Sequence, residues 1–429
     1  MIKIQKKREM IDKKKSIPNH ITVFEYQKLK VGILYDEVTF EEKHRIQLER
    51  FYGDKGVPYY NLINKGVSFN HYVGVIRVGQ LTIEVLPKAD KNENKNSWQK
   101  ILIGMLRAVG AFNVTAPSSS SLSIKSNFIL DLYFELFIKE VEYLLHKGLI
   151  KKYRKIEGNS NALKGSLQFS KHLQQNIVHQ ERFYIKHSTY DKEHLLHQIL
   201  FETLELLVKI NSNVALNSRI NSLLISFPEM KKINATEALF DKIIYNRKTK
   251  EYKNAIEISR LLLLNYHPDL SSGRNNVLAL MFDMNILWEK FVYVSLRKHL
   301  TGKRVIAQTI KDFLKPEKGR NSLLRPDIVI DMNTENTIVL DTKWKNLDNN
   351  PTSDDLRQMY FYHKYFKAKK VALVYPGKFS INTGRYFDPD GKLSDDKCSV
   401  IHISTTEPDE NINDWQKAIK KQISDWIGL

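Results

Sequence analysis

The segment that most constrains the fold is residues 325–345, RPDIVIDMNTENTIVLDTKWK. Two apolar runs rich in β-branched residues flank a polar turn around Asn333–Asn336, which is the pattern of a β-hairpin. Antiparallel pairing of these runs would bring Asp327 and Asp341 to the same end of the hairpin. Lys343 follows Asp341 by two residues, so its side chain leaves the same face of the strand. The segment therefore predicts two carboxylates and one ammonium group in a small volume.

A pair of neighbouring carboxylates calls for a cation. Two carboxylates about 4 Å apart repel each other by roughly 4 kcal/mol at an effective dielectric constant of about 20. Mg²⁺ suits such a pair because it accepts one or two carboxylates, keeps several waters and binds substrate phosphates. It would lower the pKa of a bound water and neutralise charge developing on phosphorus. We therefore expect Mg²⁺, with Mn²⁺ as a substitute, and expect Lys343 to orient the attacking water or to stabilise the transition state.

The acid-x-lysine pattern is weak alone, because 27% of the chain is charged. Residues 241–253 and 388–397 contain the same residue types at similar spacing. In neither segment do the acids lie on an apolar run, whereas IVLDTKW would hold Asp341 and Lys343 on a rigid strand. The alternative interpretation is an ordinary ion pair of these two residues at a strand end.

A following helix favours the catalytic interpretation. Residues 353–366 are predicted to be helical, with Ser353 as the N-cap. Gln358 and Tyr362 are four residues apart and therefore lie on one face of this helix. Both could reach a site at the end of the preceding strand.

The whole chain is predicted to be α/β in class (mixed α+β overall), in three regions. Residues 1–95 are β-rich, with a hairpin over 71–86 and a polar linker at 88–97. Residues 96–270 are mainly helical, with a short extended piece at 163–169 and a Pro-Ser-rich turn at 116–121. The helices of this middle region are predicted over 98–110, 126–147, 191–210 and 254–265.

The third region, residues 271–429, has the predicted order αβββαβ. Helices are expected over 283–300 and 353–366, and strands over 304–309, 325–331, 336–344 and 370–375.

Composition narrows the class of partner. The 429 residues carry 67 Lys and Arg against 48 Asp and Glu, a formal charge of +19. Such a charge attracts polyanions, usually nucleic acid or an anionic membrane surface, and the alternative is a soluble protein that is merely basic. The single cysteine, Cys398, excludes a disulfide framework and fits a reducing cytoplasm. No stretch approaches the roughly 20 apolar residues of a membrane helix. We expect a cytoplasmic protein without a membrane-spanning helix.

Three segments together resemble a known superfamily. RPDIVI, IVLDTKW and the Q-x-x-x-Y of the following helix resemble PD-(D/E)XK nucleases, particularly RecB-like enzymes. More closely, the chain resembles the McrC family, the nuclease subunits of McrBC modification-dependent restriction systems. The resemblance extends to YVGVIRVGQLTIEVLPK (72–88), to LHKGLIKKYRKIEGNSNALKGSLQF (145–169) and to NILWEKFV (285–292).

This resemblance implies roles for particular residues of a αβββαβ nuclease core. Lys343 matches the motif lysine, and Glu289 lies where several relatives place an additional acid, although a surface glutamate is an equal alternative. The implied metal ligands are Asp327, Asp341, the backbone carbonyl of Thr342 and Glu289. The implied catalytic residues are Asp327, Asp341, Lys343, Gln358 and Tyr362.

The resemblance also implies two partners, double-stranded DNA and a McrB-like AAA+ GTPase that recognises modified DNA, and no membrane. The sequence contains no GxxxxGK[ST] phosphate-binding loop, so a motor would have to be another chain. Region 1–95 is the candidate for docking it. Two alternatives remain open: a stand-alone nuclease of repair or recombination, and a non-catalytic DNA-binding bridging subunit.

Overall fold

The protein is described here by a computed structural model that covers residues 20–88, 94–109, 129–267, 277–345, 351–404 and 412–428. Two compact units share the chain. The discontinuous unit comprises Met1–Asn113 with Pro268–Leu429, and the inserted unit comprises Val114–His267. The predicted turn at 116–121 lies outside the described residues, as does part of the predicted linker.

The first part of the discontinuous unit is β-rich, as predicted. Its elements are β1 His20–Phe24, β2 Lys28–Lys30, β3 Leu34–Tyr35, β4 Val38–Thr39, α1 Glu42–Tyr52, β5 Tyr60–Ile63, β6 Gly66–Phe69, β7 Tyr72–Val78, β8 Leu81–Leu86 and α2 Lys95–Ala108. The predicted hairpin is β7–β8, which turns at Gly79 with a positive φ of 59°. Helix α1 was not predicted, because it buries only His44 and Leu48 and so lacks a broad apolar stripe. Helix α2 begins at Lys95, inside the segment predicted as a linker.

The inserted unit packs long helices around an apolar core and also contains a sheet. Its elements are α3 Ile129–Lys147, β9 Lys152–Ser160, β10 Ser166–Leu167, α4 Phe169–Asn176, β11 Phe183–Asp191, α5 Leu195–Ile210, α6 Val214–Ser226, α7 Glu237–Asp241, α8 Lys253–Leu264 and β12 Tyr266–His267. The helix predictions are confirmed to within a few residues for α3, α5 and α8. The three-stranded antiparallel sheet β10-β11-β9 was not predicted beyond its short β10.

The last part of the discontinuous unit contains the predicted αβββαβ order. Its elements are β13 Val277–Asp283, α9 Met284–His299, β14 Val305–Ala307, β15 Lys311–Leu314, β16 Ser322–Leu324, β17 Ile328–Ile330, β18 Ile338–Thr342, α10 Ser353–Tyr365, β19 Lys370–Pro376, β20 Ser380–Phe387, β21 Leu393–Ile403 and α11 Ile412–Ile427. The six-stranded sheet has the order β14-β17-β18-β19-β21-β20. Strand β18 is antiparallel to β17 and parallel to β19. The fold-class prediction is confirmed; β13, the β15–β16 hairpin and everything after β19 are additions.

Strands β17 and β18 lie inside the unit, which makes their ends rigid. Every residue of both strands is buried. Val329 and Val339 form a core with Met359 and Tyr362 of α10. On the other side, the indole of Trp288 on α9 donates to the carbonyl of Val374 at 3.4 Å. Continuous apolar runs of this kind are what a sheet covered on both faces requires.

A second sheet joins the two chain segments of the discontinuous unit. Strands β1, β8, β7 and β13 are neighbours in that order, and β7 pairs antiparallel with β13. At Gly74 a Cβ would lie 2.1 Å from the carbonyl oxygen of Leu280, so only glycine allows this approach. In the part of the chain that the structure describes, every helix is too short or too polar to cross a lipid bilayer.

Candidate active site

The two predicted acids lie side by side at one end of the β17–β18 hairpin. Ile328 pairs with Leu340, so the next register position places Asp327 opposite Asp341. Thr342 holds Asp327, because its backbone N–H and its hydroxyl both donate to Oδ2, at 2.6 Å and 2.9 Å. Asp341 is only 2% exposed. The convergence expected from the sequence is present.

Burial makes this acid pair electrostatically unfavourable. Burial, and then the neighbouring Asp327, raise the pKa of Asp341 to about 7, and Lys343 offsets only part of this rise. Burial also raises the pKa of Asp327, against the hydrogen bonds from Thr342. Removing a carboxylate from water favours its neutral form unless positive charge compensates. Positive charge beyond that of Lys343 would therefore stabilise the two carboxylates in their charged form.

Lys343 lies on the same strand face as Asp341, as the period of two predicts. Its Nζ is 2.7 Å from Asp341 Oδ2 and donates to Gln358 Oε1 at 3.4 Å. Burial lowers the pKa of Lys343, but Asp341 and Asp327 outweigh that effect and leave the pKa raised. The ammonium group is charged and directed at the acids.

Helix α10 supplies the remaining predicted pair. Gln358 Nε2 donates to the hydroxyl of Tyr362 at 2.8 Å, and that hydroxyl donates to the carbonyl of Arg325 at 3.0 Å. The chain of hydrogen bonds thus runs from Lys343 to the residue preceding Pro326. The N-cap is Thr352, whose Oγ1 accepts from Asp355 N at 3.2 Å; the prediction of Ser353 was one residue late.

Glu289 of α9 borders the site. It is half-buried, accepts from Gln308 Nε2 at 2.8 Å, and Gln308 donates its backbone N–H to the carbonyl of Asp327 at 2.9 Å. Burial, and then the charge of Asp327, raise the pKa of Glu289. The structure therefore places this acid within electrostatic reach of the pair, not on a distant surface.

The donor set fits a hard divalent cation with few protein ligands. Among the described residues, no group of three or more His, Cys, Asp and Glu side chains is arranged to hold a metal ion. Two carboxylates and a backbone carbonyl leave coordination positions for water and phosphate oxygens, which is how Mg²⁺ is usually held in proteins. Burial, and then Asp327, raise the pKa of Asp341, and a bound cation would favour its charged form. Asp327, Asp341 and Thr342 thus match Mg²⁺ better than Zn²⁺, which prefers nitrogen and sulfur ligands.

Two buried acids near the site were not predicted from the sequence. Asp355, in the first turn of α10, is 8% exposed, and Lys345 Nζ is 3.5 Å from its Oδ2. Its charge contributes to raising the pKa of Asp341. Acidic residues are common in the first turn of a helix, where they are usually solvated. The sequence therefore contains no sign that Asp355 would be buried beside the site.

The second acid, Glu25, follows β1 and lies far from the motif in sequence. Its Oε1 accepts from the indole of Trp344 at 2.7 Å and from the backbone N–H of Lys88 at 2.8 Å. Trp344, next to Lys343, also packs edge-on against Trp288 with ring centroids 5.4 Å apart. No local pattern could signal this contact, because it joins residues 319 positions apart.

Solved structures share this architecture. A chain of the refined half-complex from the tetradecameric assembly of Thermococcus gammatolerans McrB AAA+ hexamers with bound McrC aligns with a TM-score of 0.70 at 17% identity, covering 95% of this chain and 100% of the other. The cryo-EM structure of the Thermococcus gammatolerans McrBC complex aligns with a TM-score of 0.50 at 17% identity, covering 66% and 89%. At this identity the likeness shows the fold. A comparison with curated proteins finds no match.

A family model decides the membership. The model described as McrBC 5-methylcytosine restriction system component matches residues 67–376. This match begins before β7, ends at the last residue of β19 and includes the acid pair, Lys343 and α10. The resemblance read from the motifs is confirmed. This chain belongs to the family of McrBC 5-methylcytosine restriction system components.

Proposed function

We propose that this chain is the nuclease subunit of a McrBC-type restriction system, a cytoplasmic enzyme that hydrolyses phosphodiester bonds of double-stranded DNA with Mg²⁺, for which Mn²⁺ substitutes. One observation carries the proposal. Asp327, Asp341 and Lys343 converge at one end of buried strands, and Gln358 of α10 meets the lysine there. Family membership supports it independently.

Each residue of the site has a chemical task. Asp327, Asp341 and the carbonyl of Thr342 would hold Mg²⁺, which supplies an acidic bound water and neutralises charge on the phosphate. Lys343 donates hydrogen bonds from Nζ to the reacting phosphate or to the attacking water. Gln358 orients Lys343 through their 3.4 Å contact. Tyr362 fixes Gln358 and the backbone of Arg325, which precedes the first acid by two residues.

A motor subunit completes the proposal. The structurally similar chain belongs to an assembly of McrB AAA+ hexamers with bound McrC. This chain lacks a GxxxxGK[ST] loop, so nucleotide hydrolysis would come from an AAA+ GTPase partner. That partner would recognise the modified DNA, and 5-methylcytosine is the modification that the family description names.

The test is cleavage by the reconstituted complex. The chain is co-purified with a McrB-type AAA+ protein and incubated with plasmid carrying 5-methylcytosine, Mg²⁺ and GTP or ATP. We expect cutting that requires the partner, the nucleotide, Mg²⁺ and the methyl groups together. Omitting each component separately identifies its role, and unmethylated plasmid is the matched substrate control.

A non-catalytic role is the second candidate, and the 2.7 Å pair of Lys343 and Asp341 favours it, since a structural ion pair has this geometry. The Asp341→Ala variant separates the two. Loss of cutting with salt-sensitive DNA binding retained supports the nuclease, because binding depends on phosphate contacts elsewhere. Cutting by this chain without a partner would instead indicate a stand-alone nuclease. DNA binding without cutting under any of these conditions would indicate the bridging subunit.

A further inference from the structure

An exposed hairpin is inserted between β14 and β17. We name Lys311–Leu324, which comprises β15, its tip and β16, the basic hairpin. Its strands pair antiparallel with a bulge between Asp312 and Leu314, and Asn321 Nδ2 donates to Asp312 Oδ1 at 3.0 Å across it. Nearly all of its side chains are exposed. Its two strands lie outside the six-stranded sheet, and of its residues Leu324 packs against the core of Val329 and Val339.

The hairpin carries concentrated positive charge. Together with Arg325 it contains five basic and two acidic residues, so its net charge is positive although it lies beside a cluster of acids. The tip side chains Lys315, Lys318 and Arg320 are exposed. None of the three forms an ion pair with another residue that the structure describes. Their charge is therefore available to a ligand.

The hairpin is held against the helix that carries the site. Phe313 packs edge-on against Phe361 and Tyr365 of α10, with ring centroids 5.3 Å and 5.2 Å apart. Lys311 Nζ donates to the carbonyl of Tyr365. At the other end of the hairpin, β16 ends only three residues before Asp327, the first acid of the site. Both attachments fix the hairpin beside the acid pair.

The acids of the site would repel DNA, and the positive charge of the hairpin would offset that repulsion. Asp327, Asp341 and Asp355 repel a phosphodiester, and the metal and Lys343 compensate only where the bond breaks. A duplex must also be held on either side of that point by positive groups that follow its backbone. We propose that the basic hairpin binds the sugar–phosphate backbone of double-stranded DNA next to the bond that is cut. This inference rests on the proposed function.

The test compares two sets of three substitutions in the full chain. One variant combines Lys315→Ala, Lys318→Ala and Arg320→Ala. The control combines Lys28→Ala, Lys30→Ala and Lys55→Ala, which removes the same charge from exposed positions of the same unit. Binding of a labelled duplex is measured by fluorescence anisotropy, with Ca²⁺ in place of Mg²⁺ and at salt from about 50 to 200 mM.

The expected result is specific to the hairpin. Each lost phosphate contact reduces the slope of log affinity against log salt by roughly 0.9, so the hairpin variant should lose up to about three units and bind roughly tenfold or more weakly. The control should change the slope by less than about one unit. Arg320→Ala alone should show about one third of the effect, which guards against misfolding of the triple variant.

The outcomes separate this inference from the proposed function. Equal slopes and affinities for the hairpin and control variants would overturn the inference while the cleavage assay still supports a nuclease. A hairpin variant that binds DNA normally but changes oligomeric state would also overturn it, and would assign the basic tip to a contact between copies. A wild-type chain that neither binds nor cuts DNA, alone or in the complex, would overturn both proposals.

Discussion

At the scale of single residues, hydrogen bonds between neighbouring side chains position the residues of the site. The two acids were predictable because each adjoins an apolar run, and Lys343 because side chains alternate along a strand. Gln358 and Tyr362 followed from helical spacing. The burial of Asp355 and the contact between Glu25 and Trp344 were not predictable, because both arise from packing of segments distant in sequence.

Tyr362→Phe tests the hydrogen-bond chain behind Lys343. The substitution keeps the ring in the core but removes the hydroxyl that accepts from Gln358 and donates to Arg325. We expect kcat for cleavage to fall roughly tenfold with DNA affinity unchanged, and a stability loss of about 1 kcal/mol from the broken hydrogen bonds. Steady-state cleavage kinetics measure the first effect. Tyr365→Phe on the same helix is the control, and equal kcat for both variants would refute the role.

Glu25 should make stability depend on pH. Burial raises the pKa of Glu25 to about 7, despite the hydrogen bond from Trp344. The pKa of Glu25 is higher in the folded than in the unfolded state. Its contribution to the free energy of unfolding is therefore fully present below about pH 4.5 and is lost as pH rises through about 7. The loss is roughly 3 kcal/mol at most.

The comparison is with Glu25→Gln, which keeps an acceptor for the indole but cannot ionise. Melting temperatures are measured by tryptophan fluorescence at about pH 5 and about pH 8. We expect the wild type to lose stability relative to the variant on going to the higher pH. A difference between the two proteins that stays constant would show that Glu25 does not titrate in this range.

At the scale of secondary-structure elements, buried and periodic segments could be predicted and solvent-facing strands could not. β17, β18 and β19 are apolar on both faces, and α3 has a broad apolar stripe. By contrast, β9 (KYRKIEGNS) and β20 (SINTGRYF) are largely exposed. Such strands form because β11 and β21 supply their hydrogen bonds, and an exposed strand lacks the apolar alternation that would reveal it in the sequence.

The β7–β13 pairing should fail if its glycine gains a side chain. At Gly74 φ is 136°, and a Cβ would meet the carbonyl of Leu280 at 2.1 Å. We expect Gly74→Ala to destabilise the protein by at least about 3 kcal/mol, since the clash is with backbone that cannot move away. Thermal unfolding measures this. Gly384→Ala in β20 is the control because a Cβ there meets no atom within 4 Å; similar melting temperatures for both variants would contradict the described strand pairing.

At the scale of the whole molecule, the net charge and the charge of the site differ in sign. The net charge of +19 favours a polyanion, yet the site itself is acidic, so the proposed DNA substrate would have to be attracted by surfaces outside the site. Composition could indicate the polyanion but not where it binds. The division into regions 1–95, 96–270 and 271–429 stays a prediction. The structure divides the chain into two compact units, and within the discontinuous unit its two chain segments share a sheet through β7 and β13.

The measurement that most directly tests the central claim is cleavage by the Lys343→Ala variant in the assembled complex. We expect its cutting rate to fall by roughly a hundredfold or more, as for the loss of an electrostatic transition-state contact, while its DNA affinity stays within about twofold of the wild type. The control is Lys303→Ala, which removes the lysine that pairs with Asp331 at 2.8 Å at the other end of the same hairpin, and it should cut normally. A Lys343→Ala variant that cuts DNA at the wild-type rate would contradict the active site described here.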